Sequence, residues 1–127
     1  MKVTARKLLD KAERAITTGK ANLDLPDPEA AAGRAYYAMF YAAEALLTEE
    51  GLKFKKHAGV HGAFGQHFAK SGRLDPKFHK WMLAAFKKRV IADYGIEEAV
   101  APSQARESIE QARELVDAVR RLLEGGT

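Results

Sequence analysis

The segment Lys87-Lys88-Arg89-Val90-Ile91-Ala92-Asp93-Tyr94 carries the side chains best suited to chemistry in this chain. An arginine presents planar donors that grip two oxygens of a phosphate at once, which a lysine cannot do. Arg89 and Asp93 are four residues apart, so on a helix they share a face, and Asp93 can hold the guanidinium in place. Lys88 adds a neighbouring cation, and Tyr94 a phenol one step further round. The same spacing also describes a plain salt bridge at a helix end, and that alternative stands beside the phosphate reading.

Four histidines are present: His57, His61, His67 and His79. His57 and His61 have the i, i+4 spacing that sets two imidazoles on one helix face. A zinc site needs further ligands, and the surrounding segment offers neither carboxylate nor cysteine, so no metal site is expected. Capping or polar packing at a helix start is the plainer reading. His57 follows a loop and sits beside Lys55 and Lys56, so Lys56 and His57 join Lys88 and Arg89 as candidate nucleotide- or RNA-binding residues. Arg34, Tyr36, Tyr37 and Tyr41 recur at helical spacing, where aromatics serve a core or a subunit interface more often than base stacking. There is no glycine-rich phosphate loop after a strand, no serine-centred nucleophile elbow and no HExxH, and no cofactor is expected.

Helices must position these groups, because the hydrophobic periodicity is helical throughout and no alternating strand is evident. The first helix should run from Thr4 to Thr18, with Leu8, Leu9, Ala12, Ala15 and Ile16 on its stripe and Gly19 as its stop. The stretch from Lys20 to Pro28 reads as a loop. Asp27 and Pro28 read as cap and first residue of an alanine-rich second helix that ends near Glu50 and Gly51. A third, glycine-weakened helix covers residues 58–70. The fourth starts at Asp75-Pro76 and is limited by Gly95. The fifth opens at Pro102 with Ser103 as its cap and carries Ile109, Ala112, Leu115, Val116, Val119, Leu122 and Leu123. The expected fold class is all-α: an antiparallel bundle of four to five helices in a single domain covering residues 1–127.

The chain is 46% hydrophobic and 30% charged, as a folded globular protein is, and it has no cysteine, which excludes disulfides and thiol chemistry. No apolar run approaches the roughly 20 residues of a membrane span. The N-terminal MKVTARKLLDKAERAI is amphipathic and mixed in charge, unlike a secretory signal, so the cytoplasm is the expected location. Charge is unevenly spread. Residues 51–92 hold ten lysines and arginines against Asp75 alone, while the segments on either side are net acidic. A basic middle of this kind can attract phosphates; partly neutralised helix faces are the alternative.

Three stretches together resemble the HEPN family: Arg34-Ala35-Tyr36-Tyr37-Ala38-Met39-Phe40-Tyr41-Ala42-Ala43-Glu44-Ala45-Leu46-Leu47; Lys56-His57-Ala58-Gly59-Val60 followed by Phe64 and Phe68; and Arg89-Val90-Ile91-Ala92-Asp93-Tyr94. The likeness runs over about residues 5–123 and points to the short, stand-alone branch. It implies a helical bundle that forms a homodimer and works with a minimal nucleotidyltransferase as antitoxin. Many members resemble metal-independent ribonucleases, in which an arginine, four to six further residues and a histidine meet their copies across the dimer. In some pairs the nucleotidyltransferase transfers AMP to a motif tyrosine. Carried over, the resemblance makes Arg89 a catalytic residue and Tyr94 the AMP acceptor; Asp93, one position short of the motif histidine, joins Arg89 as a candidate catalytic residue because a carboxylate can serve as a base. The resemblance also shows a departure: the histidine positions after Arg89 hold Tyr94, Gly95 and Ile96. A literal match from Arg73 to His79 is interrupted by Pro76 and is read as coincidence. The expectation is a toxin-like protein of a toxin–antitoxin pair, cutting RNA at a dimer cleft around Arg89. The alternatives are a non-catalytic nucleotide-, RNA- or partner-binding module, and a purely structural oligomer.

Overall fold

The computed structural model describes residues 1–95 and 99–125. Five α-helices follow in order: α1 (Val3–Asp24), α2 (Pro28–Glu49), α3 (His57–Phe64), α4 (Lys77–Tyr94) and α5 (Pro102–Leu123). A wide π-helical turn, Gly65–Ala69, continues α3 directly. The structure is all-α, as the periodicity requires, and no described helix is long and apolar enough to cross a membrane.

Helix α2 is the central element, packed against α1, α3, α4 and α5. Its alanines make this crowding feasible: Ala31, Ala32, Ala35, Ala38, Ala42, Ala43 and Ala45 are all buried, and small side chains let neighbouring helix axes approach. Larger residues from all sides fill the remaining space, among them Leu9 and Ile16 of α1, Met39 and Leu46 of α2, Phe64 of α3, Met82 of α4 and Leu115 of α5. Asp27 caps α2, its Oδ1 accepting the Ala30 N–H at 3.1 Å, and Pro28 begins the helix.

Two expectations about helix ends are corrected. Gly19 does not stop α1, which continues to Asp24, so the loop begins at Leu25 rather than at Lys20. The glycine is there for packing: a Cβ at this position would lie 2.3 Å from Ile109 Cδ1 and 3.3 Å from Arg34 Cβ. Backbone hydrogen bonding favours continuing the helix, and the cost of one buried glycine is small beside the packing it permits. Ser103 is not the cap of α5. Pro102 occupies the first helical position, which its fixed φ suits, and Ala101 precedes it with its N–H held by Gln104 Oε1 at 2.9 Å.

An ion cluster ties α1 to α5. Arg113 grips both oxygens of Glu13, at 2.7 and 2.6 Å, and also reaches Asp117, while Arg120 adds a bond to Glu13 at 3.1 Å. Hydrogen bonding from Arg113 is the largest influence on the Glu13 carboxyl and lowers its pKa against the opposing effect of burial. This cluster leaves the opposite side of α2 for α3 and α4, which carry the histidines and Arg89.

The packing at Gly19 gives a direct test. Gly19→Ala should lower stability by about 1–3 kcal/mol by overpacking, measured as a shift in the urea midpoint. Combining it with Ile109→Val, which removes the clashing Cδ1, should recover part of that loss.

Candidate functional site

Tyr36 lies in the middle of α2 with no exposed surface. A buried phenol needs hydrogen-bond partners, and α3 supplies two. His57 and His61 are one turn apart, so both imidazoles face α2: the Tyr36 hydroxyl stands 2.8 Å from His57 Nδ1 and 2.7 Å from His61 Nε2. Around these groups Phe40 stacks on His57 with ring centres 4.3 Å apart, and Phe86 of α4 lies 5.0 Å from His61. The histidines are therefore polar packing at a helix start, as the plainer reading had it, but they converge on a residue the sequence marked only as an aromatic of the core or interface.

The surroundings set the protonation of all three groups. Burial pushes the Tyr36 hydroxyl well above its ordinary value, Tyr37 adds to this and the Arg89 charge opposes it. The O–H therefore persists at any physiological pH. Burial lowers His57, and the charge of Arg89 lowers it further. Burial likewise lowers His61, with contributions from His57 and His79. Both rings are thus held toward the neutral form. One of them accepts the phenolic proton and the other donates to the phenolic oxygen. A third histidine supports the inner end: His79 Nε2 lies 3.1 Å from the His61 carbonyl oxygen and donates to it. Gly65 permits that approach, because a Cβ there would stand 2.6 Å from His79 Cε1.

Next to this array α2 and α4 form a cleft of about 430 Å³. Arg34, Tyr37, Arg89 and Asp93 line it, with Asp27 and Glu29 at the start of α2. The two guanidiniums converge on one ring: Arg89 Cζ is 5.1 Å and Arg34 Cζ 5.2 Å from the centre of Tyr37. Arg89 pairs with Asp93 at 3.4 Å, the i, i+4 contact expected from spacing. Tyr37 also faces His57, with ring centres 5.9 Å apart and planes perpendicular. One tyrosine ring thus separates the arginine of α4 from the histidine of α3.

Of the residues picked from sequence, Arg89 and Asp93 meet in the cleft and His57 stands behind Tyr37. Lys56 is exposed and immediately precedes α3. Lys88 turns the other way, its Nζ 3.3 Å from Ser108 Oγ of α5, so it does not join Arg89. Tyr94 ends α4 with 75% of its surface exposed. Ile96 lies outside the described residues. Arg34 and Tyr37 were noted only as part of an aromatic run; their place beside Arg89 depends on how α2 and α4 cross. Arg73 pairs with Glu50 and lies over Phe68, away from His79, so the Arg73–His79 spacing forms no site. The basic segment is also partly neutralised, since Lys77 bonds Glu114 at 2.7 Å. Among the described residues no group of three His, Asp or Glu is arranged to hold a metal ion.

The model of the HEPN domain matches residues 5–122. The chain belongs to the HEPN family. Relatives agree: a "UPF0332 protein" of Gloeobacter violaceus is 38% identical over 69% of this chain and 70% of its own length. A "UPF0332 protein" of Thermotoga maritima is 36% identical over 74% of this chain and 71% of its own length. "Putative toxin MJ0605" of Methanocaldococcus jannaschii is 31% identical over 91% of this chain and 86% of its own length. Within this HEPN chain, the two arginines on Tyr37 and the hydroxyl shared by two histidines are the polar features that packing alone does not require.

The shared hydroxyl is testable by stability. Tyr36→Phe leaves two buried imidazole nitrogens without their common partner and should lower unfolding free energy by about 1–3 kcal/mol. Chemical denaturation followed by circular dichroism measures it.

Proposed function

We propose that this HEPN protein is the toxin-like member of a toxin–antitoxin pair with a minimal nucleotidyltransferase, and that it acts on RNA in the cytoplasm through the cleft around Arg34, Tyr37 and Arg89. The observation that carries this reading is the convergence of Arg34 and Arg89 on the Tyr37 ring. Two planar cations backed by an aromatic ring form a surface suited to a nucleotide: the guanidiniums can grip the phosphate, and a guanidinium plane can itself stack on a base. Asp93 holds Arg89 through a half-exposed contact, which a phosphate can replace. A homodimer that brings two α4 helices together would double this surface. Leu83, Val90 and Tyr94 supply exposed apolar area on α4 for that contact.

A second reading is a nucleotide- or RNA-binding module without catalysis. It is favoured by the sequence after Arg89, where Tyr94, Gly95 and Ile96 stand in place of a histidine. RNA binding that persists without cleavage in EDTA would select it.

Both readings require Arg89. Arg89→Ala should weaken RNA binding about tenfold or more, since a charge-assisted bond to phosphate contributes about 1.5–3 kcal/mol. It should also reduce the salt dependence of binding and relieve growth arrest on expression. Unchanged affinity in fluorescence anisotropy would reject the cleft as the RNA site. The exposed Tyr94 hydroxyl is the proposed AMP acceptor: incubation with the partner and ATP should raise the intact mass by one AMP group, and Tyr94→Phe should show no gain.

A further inference from the structure

The other end of α2 borders a second cavity, and its walls follow from how that helix is closed. Gly51 takes a φ of 79°, which glycine adopts without strain, and the Leu52 N–H donates to the Leu47 carbonyl at 2.9 Å. This reversal brings residues 52–54 back toward the end of α2. Phe54 continues onto α3, where a Cβ at Gly59 would stand 3.0 Å from Phe54 Cδ1, so the glycine lets the ring settle there. Together with Leu8 of α1 these segments border about 280 Å³. Ligand cavities run from roughly 300 to 1,000 Å³, so this one suits a molecule of few heavy atoms.

The lining is apolar apart from two charges. Leu47 and Val60 are almost completely buried, and Leu8, Leu52 and Phe54 extend the apolar wall. Glu44, one turn before Leu47, and Lys53 line the same space. Neither forms an ion pair among the described residues, with each other or with any other group. Lys11, whose charge acts on Glu44, has its Nζ 4.7 Å from the centre of the Tyr41 ring. Burial raises the Glu44 carboxyl above its ordinary value. The fold thus keeps a carboxylate partly out of water with no cation bonded to it. Packing alone does not require this, since an uncharged side chain at position 44 would fill the space with less to desolvate.

We propose that this cavity binds a free aliphatic amino acid of valine to leucine size, its ammonium on Glu44, its carboxylate on Lys53 and its side chain among the apolar residues. The charges select the occupant. An anion and a cation that share a cavity without pairing are complementary to a ligand carrying both signs. A plain amine meets repulsion from Lys53, and a plain carboxylate from Glu44, whereas a zwitterion satisfies both. The apolar wall in turn rejects polar side chains, which would lose water without gaining a partner. Glu44 and Lys53 take no part in the Arg89 cleft, so this site is independent of the RNA reading.

The test titrates leucine into the full-length protein and follows methyl signals by NMR. Wild type should show saturable shifts at Leu8, Leu47, Leu52 and Val60, with a Kd of about 1 mM or tighter. Isopentylamine, which lacks the carboxylate, and isocaproate, which lacks the ammonium, should each bind about tenfold more weakly. Glu44→Gln should weaken leucine binding about tenfold or more, and Lys53→Gln about threefold, with circular dichroism unchanged in both. No saturation by about 10 mM leucine, shifts confined to the Arg89 cleft, or isopentylamine binding as tightly as leucine overturns the proposal. Undiminished affinity in Glu44→Gln overturns it as well. RNA binding through Arg89 is measured separately, so each of these failures leaves the reading of the cleft standing.

Discussion

A phenolic hydroxyl placed at the centre of a helical bundle, away from water, must be hydrogen-bonded or it destabilises the fold by more than a typical hydrogen bond contributes. In this HEPN chain the hydroxyl of Tyr36 meets that requirement twice, through His57 and His61. That constraint fixes the rotation of α3 about its axis and the distance between α3 and α2. It also decides which side of α3 reaches α4. Phe86, from α4, closes over the same rings, and His79 bonds the backbone of α3 from below. Most of what lies on the α3–α4 side of the molecule is arranged around that one oxygen.

The other side of α2 is held differently. There the small side chains of α2 permit close helix packing, and Arg113 with Glu13 clamps α5 to α1 across the surface. The division leaves α4 the least enclosed of the long helices: only Phe78, Met82 and Ala85 are buried along it. An element so lightly held presents Arg89 and Asp93 at an open edge, where a bound phosphate or a second subunit can contact them without disturbing the core.

Much of this was legible in the sequence because helical periodicity, proline starts and charge spacing are local. The all-α class, the Asp27–Pro28 start and the Arg89–Asp93 contact each follow from residues within a turn of one another. What was not legible depends on how helices cross. Gly19 looked like a terminator because glycine ends helices when nothing packs against it; here Ile109, distant in sequence, occupies the space its side chain would need. Lys88 adjoins Arg89 in sequence, yet one residue of helix turns it about 100° toward Ser108. Ser103 was displaced as a cap by the stronger positional preference of its neighbour Pro102. Tyr36, read as an apolar-face residue, has a hydroxyl whose partners lie more than twenty residues away. The i, i+4 pair of histidines was the available signal, and it named the partners without naming what they hold.

The π-helical turn that follows α3 has a consequence for how this segment can vary. Its widened geometry, with Lys70 N–H bonded to the Gly65 carbonyl at 2.8 Å, accommodates one residue more than an α-helical turn would. Deleting Gln66 or His67, both exposed, would restore a regular turn and leave the residues beyond it in register, because the wide turn is what absorbs the extra residue. Phe68, fully enclosed beside Phe64, would keep its seat, as would His57 and His61 upstream. The identities of Gly65, which admits His79, and of Phe68 are therefore under tighter constraint than the length of the exposed stretch between them, where one residue can be lost without rebuilding the core.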